Sequence, residues 1–374
     1  MRKNLKIAGA GPAGLTAAIC LAKAGHTVDL FEAKETVGAR FIGDFQIIEN
    51  GSQEKNALAL LNEIGIDVNF FIQPVKQAVF FDASLSPHPI ESRSPFAYFI
   101  RRGDVPNTLD EGLRQQALSA GVNIHYKSRL KPEEADIVAT GPSTSDGLAK
   151  QKTFLTALPD TVWVIFDSAI APGGYAYLFV INGEATLGCA ITSQANKVNY
   201  FFDRAVERFQ VLSPFTMENE RAGYAFMNFD LKKSAMIGRR LLVGEAGGFQ
   251  DYLFGLGIRY AIITGHLAAR SVMESVNYDT LWQEAIGAMQ KTSLVNRALY
   301  EWGGRGGLLL FMRQASRSDF RSYLLNWHQD RMWKRLLLPI VKWLWARNGS
   351  CAHFQTPHWC RKKSVLTTNP LLPS

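Results

Sequence analysis

Residues 5–14 read Leu5-Lys6-Ile7-Ala8-Gly9-Ala10-Gly11-Pro12-Ala13-Gly14, a short apolar strand running into three spaced glycines. A helix from Leu15 to about Ala24 is expected next, then a Gly25 stop and a strand Thr27–Phe31 ending in Glu32-Ala33. Strand, glycine turn, helix, strand and terminal acid is the order of a dinucleotide-binding βαβ unit. Gly9 makes the tight turn, Gly11 lets backbone approach a pyrophosphate, and Gly14 lets the helix pack closely on the strand. The helix start, with Pro12 giving up no N–H of its own, presents the free N–H groups from Ala13 onward and a positive dipole end to phosphates. Glu32 stands eighteen residues after Gly14, where a carboxylate accepts hydrogen bonds from ribose hydroxyls and disfavours a 2′-phosphate.

The remaining chain supports a globular protein with a sizeable core. Of 374 residues, 47% are hydrophobic and 20% charged, which suits two intertwined domains and a tail. The formal charge of +8 fits a dinucleotide and, beyond it, an anionic surface or acidic substrate. No segment reads as a nucleic-acid module, so nucleic acid is excluded as a partner. Four scattered cysteines make no disulfide scaffold, and a reducing cytoplasm is the expectation. Met1-Arg2-Lys3 before an apolar run imitates a signal peptide, but the glycine fingerprint that follows makes this stretch structure.

A second glycine segment lies far downstream. Arg240-Leu241-Leu242-Val243 forms an apolar strand leading to Gly244-Glu245-Ala246-Gly247-Gly248, and Gly255-Leu256-Gly257-Ile258 then opens a helix to about Met273. Together with residues 5–33 this resembles the flavoproteins built like p-hydroxybenzoate hydroxylase, over roughly residues 1–275. The resemblance implies FAD, with the acid at Glu245 on the ribityl chain and the helix start at Gly257 facing the flavin pyrimidine. It also puts Arg40, in Val37-Gly38-Ala39-Arg40, where a basic residue reaches back to the flavin side. Two departures stand out: the family's usual Asp is Glu245 here, and its Pro after the next acid, Asp251, is Tyr252.

Between the motifs, Ala78–Asp82 and Ala97–Arg101 read as strands, Thr108–Ala120 as a helix, and Asp136–Thr140 as a strand closing the dinucleotide sheet. Thr161–Ser168, Gly174–Ile181 and Glu184–Thr192 are β-rich, with Asn182-Gly183 a hairpin signal, and Asn199–Leu212 an amphipathic helix. An antiparallel sheet over the cofactor is therefore expected as the substrate domain. Its strand Tyr175-Ala176-Tyr177-Leu178-Phe179 resembles the aromatic strand of the geranylgeranyl reductase family, with Tyr177 in the tryptophan position. The resemblance makes Tyr175, Tyr177 and Phe179 substrate contacts, and implies saturation of isoprenoid double bonds by reduced FAD. Flavin-dependent halogenases carry a related strand, and alternating aromatics also suit any half-buried sheet.

Where the reductases carry a Cys before Gly in the loop after the first helix pair, this chain reads Ile42-Gly43-Asp44, so the thiol proton donor is missing. After residues 136–140 it reads Gly141-Pro142-Ser143 in place of the hydroxylases' Asp-Gly pair, which points away from direct NADPH-driven hydroxylation and towards a separate electron carrier. Asp44, His88 and His266 are the polar residues near the flavin motifs to weigh as proton donors, and no catalytic residue is assigned. From Asn277 the chain is helical and basic. Arg331–Arg347 mixes Trp333, Trp343, Trp345 and leucines with Lys334, Arg335 and Lys342, as a helix lying in a headgroup layer does; a cavity cap is the other reading. Pro339 interrupts it, so one straight helix is not assured. Cys351, His353, His358 and Cys360 offer thiolate and imidazole ligands, but their spacing matches no zinc module and no metal is assigned.

The expectation is thus an α/β protein: a Rossmann-like FAD-binding (GR2-type) domain from 1–75, 98–150 and 232–275, an inserted antiparallel substrate domain from 76–97 and 151–231, and a helical basic region over 276–374. The reading is an FAD-dependent oxidoreductase reducing carbon–carbon double bonds of a hydrophobic substrate, supplied with electrons by NAD(P)H or a separate reductase. A flavin monooxygenase or halogenase, and a non-catalytic FAD-binding partner protein, are the alternatives. The basic tail adds peripheral membrane contact to a cytoplasmic protein.

Overall fold

The computed structural model describes residues 2–346, apart from 143, 144 and 230. The first strands are β1 (Asn4–Ala8), β2 (Thr27–Phe31), β3 (Ile42–Glu49), β4 (Ile72–Val75), β5 (Gln77–Phe81), β6 (Pro87–Glu91), β7 (Ala97–Gly103), β8 (Asn123–His125) and β9 (Ile137–Val138). The later ones are β10 (Gly147–Leu155), β11 (Thr161–Ile165), β12 (Tyr175–Ile181), β13 (Glu184–Ile191), β14 (Glu218–Met227), β15 (Met236–Ile237) and β16 (Arg240–Leu242). The helices are α1 (Pro12–Lys23), α2 (Ala57–Glu63), α3 (Leu109–Ser119), α4 (Val198–Leu212), α5 (Ile258–Glu274), α6 (Tyr278–Trp282), α7 (Ala288–Ala315), α8 (Phe320–His328) and α9 (Met332–Ala346).

The chain forms two compact units. The first is assembled from Met1–Gln73, Tyr98–Ser143 and Asp230–Lys291. Its six-stranded sheet runs β15-β16-β9-β1-β2-β8, parallel except for the short β15–β16 pair. β9 lies inside this sheet, between β16 and β1, and not at the closing edge that the sequence suggested. It is also shorter than residues 136–140, because Ala139 leaves the ladder after donating to the Ala8 carbonyl (2.7 Å) and turns its own carbonyl against Gly9. α1 is buried along Ala13–Leu21, as a helix apolar all round must be. A further sheet has the order β3-β7-β4. Residues 42–44, expected as a loop, are the start of β3, where Asp44 and Phe45 are buried.

The second unit comprises Pro74–Ala97, Thr144–Phe229 and the segment beginning at Thr292. Its sheet runs β14-β10-β13-β12-β11-β5-β6, antiparallel except where β5 meets β11. Asn182 and Gly183 take φ of 50° and 78°, the left-handed pair that a two-residue type I′ hairpin between β12 and β13 requires. Ala176, Leu178, Val180, Leu187 and Cys189 turn one face of this sheet into a core shared with Phe201, Phe202 and Phe209 of α4. Helix α9 runs through Pro339 without ending there. The Cys351, His353, His358 and Cys360 cluster lies outside the described residues.

Candidate dinucleotide site and the aromatic sheet face

The three glycines of the β1–α1 turn are not equivalent. Gly9 has φ +100°, and a Cβ there would sit 2.4 Å from the Ala139 carbonyl oxygen. A Cβ on Gly14 would sit 2.0 Å from the Gly9 oxygen. Both glycines are therefore demanded by the fold itself. Gly11 is different: its φ of −77° suits any residue, and a Cβ there meets nothing within 4 Å. The missing side chain keeps open a space that the protein does not fill.

That space lies at the N-terminus of α1. Gly11 is its N-cap, with no capping side chain, Pro12 at the first position and no acid in the first turn, so the positive end of the helix is left to an anion. Glu32 follows β2 and holds the turn from the other side, accepting from Ala10 N–H (3.0 Å) and from Lys34 N–H (2.9 Å). A carboxylate has capacity for about four acceptor contacts, so ribose hydroxyls find room on the same group. Ala33 beside it is exposed.

The second motif is packed on the first. Gly244 (φ +56°) would place a Cβ 3.1 Å from that of Ala13, and a Cβ on Gly265 would lie 2.3 Å from the Ala13 oxygen. Helices α1 and α5 thus meet backbone to backbone, and Thr264 Oγ1 accepts from Gly244 N–H at 2.9 Å. Glu245 stands in the short turn Gly244–Gly247 after β16, and its Oε1 lies 3.7 Å from the place a Gly257 Cβ would occupy. Burial pushes the Glu245 carboxyl up, and the charges of Arg40 and Arg102 oppose this. Gly257 caps α5 with no side chain, leaving the first N–H groups of Ile258 and its neighbours open. The loop before it is held by Gln250 Nε2 donating to Gly255 O (2.8 Å), Asp251 N–H donating to Leu256 O (2.8 Å) and Phe254 N–H donating to Asp251 Oδ2 (2.8 Å). Tyr252, standing in the family's proline position, is buried and donates to Gly248 O at 3.0 Å.

Sequence reasoning missed the support beneath Arg40. Buried Arg102 makes a bidentate pair with Asp110 (2.8 and 2.9 Å) and lies over the Phe41 ring at 4.0 Å. Asp110 also accepts from Gly103 N–H (2.9 Å), and Gly38 fits against Gly103 with no room for a Cβ. It also missed Arg259 on α5, whose fully buried guanidinium donates to the backbone oxygens of Glu49 (3.2 Å) and Lys55 (2.6 Å). Neither arginine sits in a recognisable motif; each is read only once the fold has brought its partners together.

The weighed proton donors separate. Asp44 is buried in β3 and accepts from Ile42 N–H (3.1 Å) and Gln46 Nε2 (2.8 Å); burial raises its carboxyl against those bonds. His266, on α5, lies 3.6 Å from Cys20 Sγ on α1, a packing contact between helices. His88 belongs to the second unit, on β6, with its Nε2 3.7 Å from Asp82. Cys20 and Cys189 are buried, and burial pushes their thiols up to about 11 and about 12, so neither supplies thiolate at neutral pH. Among the described residues no cluster of three metal-ligating side chains occurs.

In the second unit, the sheet face opposite α4 carries Tyr175, Tyr177 and Phe179 in a row. The Tyr175 and Tyr177 rings are 6.1 Å apart, and Tyr177 stacks on Phe179 at 4.9 Å. Tyr177 lies flat across β13 because its cross-strand partner is Gly188, where a Cβ would come within 2.1 Å of the ring. Its hydroxyl then reaches β10 and donates to Gln151 Oε1 at 3.0 Å.

Residues 7–44 match the model of the NAD(P)-binding Rossmann-like domain, about a tenth of the chain. No curated protein matches the sequence. Among solved structures, a geranylgeranyl bacteriochlorophyll reductase-like protein from Thermoplasma acidophilum superposes with TM-score 0.67 at 19% identity, over 92% of this chain and 99% of that one. The chain has the fold of these flavoproteins. The flavin-dependent brominase Bmp2 superposes at TM-score 0.59 and 14% identity, over 91% and 99% of the two chains. CtdE, solved with FAD and a substrate, superposes at 0.56 and 14%, over 93% and 100%.

Proposed function

We propose that the chain is an FAD-dependent oxidoreductase that reduces carbon–carbon double bonds of a hydrophobic, isoprenoid- or lipid-like substrate. The observation that carries the cofactor is Gly11, a glycine that neither backbone strain nor packing explains, standing before an uncapped helix. Gly9, Gly11, Pro12, Ala13 and Gly14 would hold the pyrophosphate, Glu32 the ribose, and Glu245 with Gly244 the ribityl chain. Gly255, Leu256, Gly257 and Ile258 present the positive end of α5, which favours negative charge placed before it. FAD, when bound, supplies hydride transfer; the residues around it supply position and field. Arg40 and Arg102 keep positive charge near Glu245 and so favour its ionised form.

The aromatic row Tyr175, Tyr177 and Phe179 supports a hydrophobic substrate, since flat rings on a small-residue strand form a surface for an apolar chain. The row carries phenol and phenyl rings and no carboxyl, imidazole or thiol, so the reading assigns orientation to it and leaves the proton to be delivered from elsewhere. Substrates of this kind reside in membranes, and the same reading has a cytoplasmic protein working at a membrane face.

The test is the visible spectrum of the purified protein during anaerobic addition of NADH and NADPH, followed by dithionite. Absence of flavin bands, unrestored by added FAD, sinks the reading. Bands that bleach promptly mean direct hydride uptake and favour a monooxygenase. Bands that persist until dithionite imply a separate reductase, and oxygen consumption in turnover then separates the halogenase from the alkene reductase. Flavin that no physiological donor reduces leaves the non-catalytic partner protein.

A further inference from the structure

Helix α9 is amphipathic the wrong way round for a helix in water. Its inward side holds Lys334 and Val341, both 2% exposed, and Lys334 donates its ammonium to the Trp327 carbonyl. Its outward side holds Met332, Leu336, Ile340 and Trp343, which are between 50% and 77% exposed, with Trp333 at 43%. At about 100° of rotation per residue, these five side chains fall within an arc of about 100°. Lys334 and Val341 fall on the opposite side of the same wheel. Arg331, Arg335 and Lys342 line one flank of the apolar arc, between it and the buried side, and all three are exposed.

An exposed stripe of this kind stays out of water only against an apolar partner. The charge around it narrows the choice. Residues 301–346 contain eight Lys and Arg against three Asp and Glu, so a large part of the chain's positive excess sits in this stretch. No acidic residue occurs between 331 and 346. Tryptophans toward both ends of the stripe, Trp333 and Trp343, suit the headgroup boundary, where an indole is apolar on its faces and donates from its N–H. Among the described residues no helix is long and apolar enough to cross a membrane, so the contact is lateral.

We infer that α9 lies in the plane of an anionic lipid surface, with Met332, Trp333, Leu336, Ile340 and Trp343 inserted among the acyl chains and Arg331, Arg335 and Lys342 at the phosphates. This deepens the membrane part of the reading above and does not depend on the flavin chemistry. Leucine and isoleucine set the depth, and the basic flank sets the preference for negative lipid.

The test uses the full chain and sedimentation with vesicles of phosphatidylcholine, with and without phosphatidylserine, at low and high salt. Binding is expected to phosphatidylserine vesicles, to weaken with salt, and to fall about tenfold or more in Leu336→Ser/Ile340→Ser. Both positions are largely exposed, so the double variant should melt like the parent, and an unchanged flavin spectrum would check that the first unit is intact. Vesicle binding that ignores the double variant, or that is lost on removal of residues 347–374 alone, overturns the assignment to α9 while the membrane reading stands. Absence of vesicle binding overturns both. A concentration-dependent dimer that the double variant abolishes, without vesicle binding, would give the stripe to a second copy of the chain and also overturn the inference.

Discussion

Replacing Gly11 by alanine separates ligand from fold more cleanly than any other change in the β1–α1 turn. The new methyl meets no protein atom within 4 Å, and φ of −77° needs no glycine. The folding cost is then the difference between alanine and glycine at an N-cap, up to about 1 kcal/mol, offset by about 0.4–1 kcal/mol from the stiffer unfolded chain. A melting shift of no more than about 3 °C is expected. The methyl occupies the approach of the pyrophosphate to the helix, and overpacking of that kind costs about 1–3 kcal/mol, or roughly a 5- to 150-fold loss of FAD affinity. Gly14→Ala is the contrasting control, because its methyl would sit 2.0 Å from the Gly9 oxygen and must destabilise the unit before any ligand arrives. The assay pairs thermal melts of the apoproteins with FAD titration followed by flavin fluorescence. If Gly11→Ala binds FAD as tightly as the parent, the pyrophosphate is not at this turn and the cofactor argument fails. If Gly14→Ala melts like the parent, the packing argument fails instead.

Gly188→Ala should destabilise the second unit by about 1–3 kcal/mol through the clash with Tyr177, and Tyr177→Ala should relieve most of that cost; additive urea-melt values for the pair would refute the contact. Tyr177→Phe leaves the ring but strands the buried Gln151 acceptor, and should cost about 1–2 kcal/mol in the same melts without changing FAD affinity. Burial holds the His266 imidazole below its ordinary value, so the folded state binds fewer protons than the unfolded one. Its contribution is complete above pH 6.5 and lost as pH falls through the folded value; His266→Asn should therefore flatten the decline in urea midpoint between about pH 7 and pH 5. At the start of α8, burial alone would raise the Asp319 carboxyl, but donation from Arg93 N–H and from Ser322 brings it down to about 2. Its capping is expected to persist above pH 3.8 and fail as pH falls towards 2, and Asp319→Ala should cost about 1 kcal/mol at neutral pH by urea melt.

The parts legible in the sequence were those whose reasons are local. β2, the Asn182-Gly183 hairpin and the glycine turn are each specified by a few adjacent residues, and each stands within a residue or two of its expected place. β3 was hidden because Gly43, Asp44 and Gln46 break the apolar alternation, while burial there follows an irregular pattern. β14 was hidden for the opposite reason: its first half, Glu218-Asn219-Glu220-Arg221, is charged and exposed at a sheet edge. The inner position of β9 depends on pairing with β1 and β16, which two-residue strands do not announce. In the candidate site, the glycines and both acids were legible, but Arg102, Arg259 and Gln151 were not. Their partners lie 8, 210 and 26 residues away respectively, and no short-range pattern links them.

The close meeting of α1 with α5 also sets an order of events during synthesis. Ala13 is bracketed by Gly244 and Gly265, so the turn that begins the chain is finished only when residues some 250 positions later have been made. At about 5–20 residues per second, that is a wait of roughly 12–50 s, during which β1, α1 and β2 lack much of their eventual cover. The sheet containing β10 to β14 has nearby strands to pair with and is able to close within that interval. The strands of that sheet are thus able to pair while the first unit is still incomplete, and a nascent chain stalled before residue 240 would carry a paired sheet and an unfinished nucleotide turn, with the segment of the second unit that begins at Thr292 also still to be made.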